Sequence, residues 1–121
     1  MSMKNCIFCQ IVDKQSPANI LFENADCIAF TPLDPVAKGH VLIVPKAHYR
    51  DIFDIDPGIL SAVVVFSKQV ARDIVNTNKA TGVNILHASG ADAQQSVFHF
   101  HIHVVPRYSN DGLDLWPRNK L

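Results

Sequence analysis

Residues 97–106 read Val-Phe-His-Phe-His-Ile-His-Val-Val-Pro, so three histidines, His99, His101 and His103, alternate strictly with apolar residues. A β-strand sends successive side chains to opposite faces, so this period of two places Phe98, Phe100, Ile102 and Val104 in a core and all three imidazoles on the other face. On a helix, residues two apart point about 200° from each other, which would scatter the imidazoles. The aromatic and β-branched content also favours a strand. A strand over 97–105 carrying a row of histidines is therefore expected.

Composition narrows what surrounds that strand. A chain of 121 residues, 48% hydrophobic and 18% charged, suits one globular domain spanning 1–121. Eleven basic residues balance eleven acidic ones, which leaves no electrostatic footprint for DNA or an anionic membrane and implies that any nucleic-acid-like ligand is small. Residues 1–6 lack the apolar run of a signal peptide, and no stretch approaches the roughly 20 apolar residues of a membrane span. The expectation is a soluble cytoplasmic protein whose three cysteines, Cys6, Cys9 and Cys27, are reduced.

Short apolar runs at 20–23 and 27–30, separated by Asn24-Ala25-Asp26, predict a hairpin. A third strand spans 39–44 and stops at Pro45, and the two prolines of Thr31-Pro32-Leu33-Asp34-Pro35 mark a loop. Asp56 and Pro57 read as N-cap and first position of one long helix. Leu60, Val63, Val64, Ser67, Val70, Ala71 and Ile74 follow helical spacing, and the helix ends over 76–78. A fourth strand at 83–87 and a polar loop at 88–95 lead into the histidine strand, and the tail from Arg107 holds the only tryptophan, Trp116. This order predicts an α+β fold, an antiparallel sheet with the main helix on one face and the histidines on the open one.

Imidazole can serve as nucleophile, general acid or base, or metal ligand near neutral pH. Alternate strand residues stand roughly 6.5–7 Å apart. That is long for two imidazoles sharing an ion whose zinc–nitrogen bonds are about 2.0–2.1 Å, and suits separate roles along a phosphate-bearing ligand better. Catalysis, metal binding and a plain exposed sheet face all remain open on spacing alone. Cys6 and Cys9 form a C-x-x-C pair, which reads as half of a zinc site completed by His48 and His99, as a redox pair, or as buried thiols. Cys27 reads as a small core residue. Gln94, Gln95 and Ser96 can offer donors to an anion or bond only within their own turn. Phe8, Ile11, Phe30 and Leu33 can form an apolar slot for a planar ring or simply belong to the core.

With Pro45-Lys46-Ala47-His48 upstream and the run from Gln95 to Val104 downstream, the chain resembles the histidine triad (HIT) superfamily of nucleotide hydrolases and transferases, from Cys6 to Trp116. Its length and its terminal Leu115-Trp116-Pro117 are most similar to the Hint branch. The resemblance implies a five-stranded antiparallel sheet with one long helix and a short N-terminal helix. It implies that His101 is a nucleophile forming a nucleotidyl-histidine, that His103 assists at the phosphate, and that Ser96 and Asn84 bind the phosphoryl or leaving group. Backbone amides around Gln95 would stabilise developing charge. It further implies a structural zinc held by Cys6, Cys9, His48 and His99, which leaves no open position on the ion.

Base binding falls on Phe8, Ile11, Phe30 and Leu33. Many relatives grip the ribose with an aspartate two residues after the strand aromatic, but here that position is Pro32, and Asp34 is the candidate replacement. The family's glycine before Gln-Ser is Gln94 here. A homodimer in which the sheets join and the tail of Trp116 approaches the partner's site is also implied. The expected activity is hydrolysis of a nucleoside 5′-phosphoramidate or related conjugate, with a purine nucleotide as ligand. Dinucleoside polyphosphate hydrolysis, as in the Fhit branch, and a non-enzymatic nucleotide-binding regulatory role are the alternatives.

Overall fold

A computed structural model describes residues 3–117. Its first hairpin joins β1 (Ile20–Glu23) to β2 (Cys27–Phe30). The turn is made by Asn24, whose side-chain oxygen accepts the backbone N–H groups of Asp26 (2.9 Å) and Cys27 (2.8 Å). Next comes β3 (Val41–Pro45), and then α2 (Pro57–Asn78), which follows the short N-terminal helix α1 (Ile7–Val12). The Asp56 carboxylate caps α2 by accepting the Ile59 N–H at 3.1 Å, and the helix stops at Lys79, which takes a left-handed conformation. The last strands are β4 (Gly82–Leu86) and β5 (Ile102–Arg107).

The strands form one antiparallel sheet in the order β1-β2-β3-β5-β4. Strand parity sorts the two faces. Cys27, Ala29, Val41, Ile43, Phe100, Ile102 and Val104 pack with Val63, Phe66, Val70 and Ile74 of α2. The intervening residues Ile28, Phe30, Leu42 and Val44 face the other way and pack with Phe8 and Ile11 of α1. Cys27 is fully buried in the α2-side core, as its place in a strand predicts. Gly39 precedes β3 with φ +86°, a conformation that strains any residue with a Cβ, and a Cβ there would also lie 2.7 Å from Asn78 Nδ2 at the end of α2. No helix among the described residues is long and apolar enough to cross a membrane.

The α+β architecture is as predicted, with differences where the chemistry sits. The histidine strand begins at Ile102 rather than at 97, and β4 runs one residue earlier than expected. Phe98, expected in the core, is 49% exposed because it lies in the bend before the sheet. The histidine face is not open, since α1 covers it and leaves His99 0% and His101 5% exposed. Strand pairing gives way over 99–101 because the backbone there is bonded elsewhere. The Phe100 N–H goes to the Tyr49 carbonyl, and the carbonyls of His99 and His101 accept from the rings of His101 and His87. Replacing the cap, Asp56→Ala, should destabilise the fold by about 1 kcal/mol, measured as a lower denaturation midpoint at unchanged slope.

Candidate active site and metal-ligand cluster

All six histidines of the chain converge on the α1 side of β5. Two of them join the cysteine pair. Cys6 is the N-cap of α1 and Cys9 lies one turn on, which the C-x-x-C spacing on a helix start requires. The Cys9 thiol is 3.3 Å from His48 Nδ1 and 3.6 Å from His99 Nδ1, Cys6 is 3.4 Å from His99 Nδ1, and the two imidazole nitrogens are 3.2 Å apart.

A tetrahedral ion with bonds of about 2.0–2.1 Å to nitrogen and about 2.3 Å to sulfur sets its ligands roughly 3.3 Å apart for a nitrogen pair and roughly 3.6 Å for nitrogen and sulfur. The four ligand atoms, all within 4.8 Å of one another, match those edges and can hold a metal ion. His99 Nε2 lies 2.9 Å from the Pro45 carbonyl, which can only accept, so Nε2 carries the proton and Nδ1 turns its lone pair to the thiols. Burial pushes the His99 pKa down to about 4 and raises that of the Cys9 thiol. The ring is thus a ready neutral ligand, and a cation would reverse the penalty on the thiolate.

The remaining four histidines, His40, His87, His101 and His103, line a pocket of about 820 Å³, within the range of small-molecule sites. Hydrogen bonds assign their tautomers. His101 Nδ1 lies 2.8 Å from the His99 carbonyl and must donate to it, so the Nε2 lone pair is left for a ligand. His40 Nδ1 accepts the Val36 N–H at 3.1 Å, so neutral His40 carries its proton on Nε2 and donates to His103 Nδ1, 3.0 Å away. His103 is then left with an Nε2–H. Burial is the main cause that lowers the pKa of all three, His103 to about 4, and keeps the rings neutral near pH 7. The pocket therefore offers one imidazole lone pair beside one imidazole N–H.

The apolar end of the pocket is built by Phe8, Ile11, Phe30 and Leu33, with Phe8 edge-on to Phe30 at 5.4 Å and to His101 at 5.2 Å. Leu33, at 99% exposed, stands on the rim with Pro32 and Asp34. Ser96 also lines the pocket. Gln95 does not. Its buried amide accepts the Gly90 N–H (2.8 Å) and donates to the carbonyls of Arg50 (2.7 Å) and Val97 (3.1 Å), which holds the loop that carries Ser96.

Asn84 lies two residues beyond Leu86 on the same face of β4, outside the pocket lining, and its side-chain oxygen accepts from Arg107 at 2.9 Å. Arg107 also clamps Asp111 and the Leu113 carbonyl, and past this turn Leu115 reaches the pocket of its own chain while Trp116 is exposed.

His40 and His87 were not singled out from the sequence. His40 was legible in part, since it shares strand parity with Leu42, which pairs with His103. His87 was not, because its bond to the His101 carbonyl at 2.9 Å and its stacking on Phe100 arise only where the β4–β5 ladder ends.

The HIT domain family profile matches residues 13–110. An uncharacterized HIT-like protein of Borreliella burgdorferi is 36% identical over 98% of this chain and 87% of that protein. The adenylylsulfatase HINT3 of Arabidopsis thaliana is 34% identical over 90% of this chain and 55% of that protein. A zinc-bound histidine triad family protein of Mycobacterium smegmatis superimposes with a TM-score of 0.88 at 32% identity, covering 96% of this chain and 84% of that one. With the profile spanning most of its length and two of the alternating histidines, His101 and His103, lining its pocket, this chain belongs to the HIT family.

Proposed function

We propose that the protein is a nucleotide hydrolase that cleaves nucleoside 5′-phosphoramidates or related nucleotide conjugates through a covalent nucleotidyl-histidine on His101. The observation that carries this reading is the free Nε2 lone pair of a buried, neutral His101 beside the Nε2–H of His103. The lone pair attacks the α-phosphorus, the bond from phosphorus to the leaving group breaks, and His103 with Ser96 hydrogen-bonds the phosphoryl oxygens. The departing nitrogen takes a proton from solvent as the phosphorus–nitrogen bond breaks, while the His103 Nε2–H stays on the phosphoryl oxygens, and the water that then attacks the phosphorus returns a proton to solvent. That second attack releases the nucleoside monophosphate and restores His101.

A purine fits between Phe8, Ile11, Phe30 and Leu33, with Asp34 the acceptor for ribose hydroxyls. Gln95 acts by positioning Ser96. No lysine or arginine lines the pocket among the described residues. This favours a phosphorus bearing a single negative charge over the several charges of a dinucleoside polyphosphate. Adenylyl sulfate, the substrate class in the name of the Arabidopsis relative, undergoes the same displacement with a different leaving group. His101→Ala should slow release of AMP from adenosine 5′-phosphoramidate by about a thousandfold, roughly 4 kcal/mol of barrier. Retention of wild-type rate within tenfold would sink the covalent mechanism.

Zinc is the ion the two-thiolate, two-imidazole set suits best, and four protein ligands give it a structural role. Bound there, it would tie α1 to the segment that leads into β5. Loss of a ligand found at about 100 times its Kd removes about 3 kcal/mol. Cys9→Ser, or chelation of the wild type, should therefore lower the melting temperature by roughly 10 °C and reduce bound zinc from one per chain, read by elemental analysis.

The homodimer rests on β4, an edge strand whose Val83 and Ile85 are exposed. They line an apolar groove of about 690 Å³ with Val64, Ala71 and Val75 of α2. Pairing β4 with its symmetry mate would join the sheets and cover that groove. Light scattering should report a dimer for the wild type and a monomer for Ile85→Lys, and a monomeric wild type would refute it.

A further inference from the structure

Four non-glycine residues among those described have a left-handed φ, and only Gln94 (φ +72°) lines the pocket. Gln94 closes the short turn at Ala91–Ala93 with its N–H on the Ala91 carbonyl at 2.9 Å, a position where glycine is favoured because it has no Cβ. Its neighbour Gln95 has its amide taken up by Gly90, Val97 and the Arg50 carbonyl. The Gln94 side chain is exposed and makes no hydrogen bond among the described residues. A strained backbone whose side chain does nothing for the fold, yet faces a ligand cavity, points to function.

Sheet order tells which part of a substrate Gln94 would meet. The apolar slot and Asp34 belong to α1, β2 and the loop toward β3, on one side of β5. His87, Ala88, Ala93 and Gln94 come from the end of β4 and the loop after it, on the other side, with His101 and His103 between. With the base in the slot and phosphorus over His101, the leaving group lies on the Gln94 side. Ala88 and Ala93 leave space there, and the only carboxylate of the pocket lining among the described residues, Asp34, is on the opposite side.

We propose that Gln94 determines leaving-group specificity, its carboxamide hydrogen-bonding a carboxylate or carboxamide carried on the leaving amine. The preferred conjugates would then join the nucleotide to the amino group of an amino acid or a similar amine. This rests on the phosphoramidase reading above and adds to it the chemistry beyond the scissile nitrogen.

The test compares kcat/KM for two adenosine 5′-phosphoramidates, one derived from ammonia and one from glycinamide, in the wild type and in Gln94→Gly. The wild type should favour the glycinamide conjugate by about fivefold or more, the size of one net hydrogen bond. In Gln94→Gly that ratio should fall to about one, with a melting temperature no lower than wild type because glycine relieves the left-handed backbone. Equal ratios in the two proteins, no preference in the wild type, or a variant that loses both activities together with its stability would each overturn the assignment. Hydrolysis of neither conjugate by the wild type would instead remove the phosphoramidase reading, and this inference with it.

Discussion

His99 is the residue on which the rest of the site depends. One ring nitrogen donates to the carbonyl at the end of β3, and the other faces two thiols and His48. Its backbone carbonyl accepts from the ring of His101 and so fixes the tautomer of that side chain. A single buried residue thereby couples the N-terminal helix, the central strands and the His101 ring in the pocket. Removing its ring would leave the buried Pro45 carbonyl without its donor and the two thiols without the nitrogen they face.

Burial by α1 performs two tasks. Phe8 and Ile11 supply the apolar wall against which a ring can stack, and the same cover strips water from the imidazoles of the strand. Desolvation disfavours the charged ring, so these rings stay neutral near pH 7 and present one lone pair and one N–H to the pocket. The relay from the Val36 N–H through His40 to His103 then decides which nitrogen bears which role. Neither effect requires a charged side chain.

Much of this could be read from the chain. The alternation at 98–104 gave the correct faces for Phe100, Ile102 and Val104, and the Asp-Pro pair marked the start of α2 to the residue. Cys6, Cys9, His48 and His99 meet as the C-x-x-C spacing allowed. What escaped were features set by long-range geometry. Phe98 matches the periodicity, yet no element covers it, and regular pairing stops before it because side chains take the carbonyls at 99 and 101. Asn84 has the right chemistry for a phosphate, but Arg107, 23 residues away, occupies its oxygen. Likewise, nothing local in the sequence distinguishes Gln95, whose amide ties the loop to the Arg50 carbonyl, from Gln94, whose amide bonds nothing among the described residues.

The family profile covers residues 13–110, while the thiols of the cluster lie at 6 and 9 and two walls of the pocket, Phe8 and Leu115, lie outside it at either end. The region that identifies the family is therefore smaller than the unit that builds the pocket and the cluster. A chain trimmed to the recognisable domain would keep the sheet, the long helix and every triad histidine. It would lack half of the cluster, the helix that dries the imidazoles, and the tail that meets them, so its boundaries would suit recognition and not chemistry.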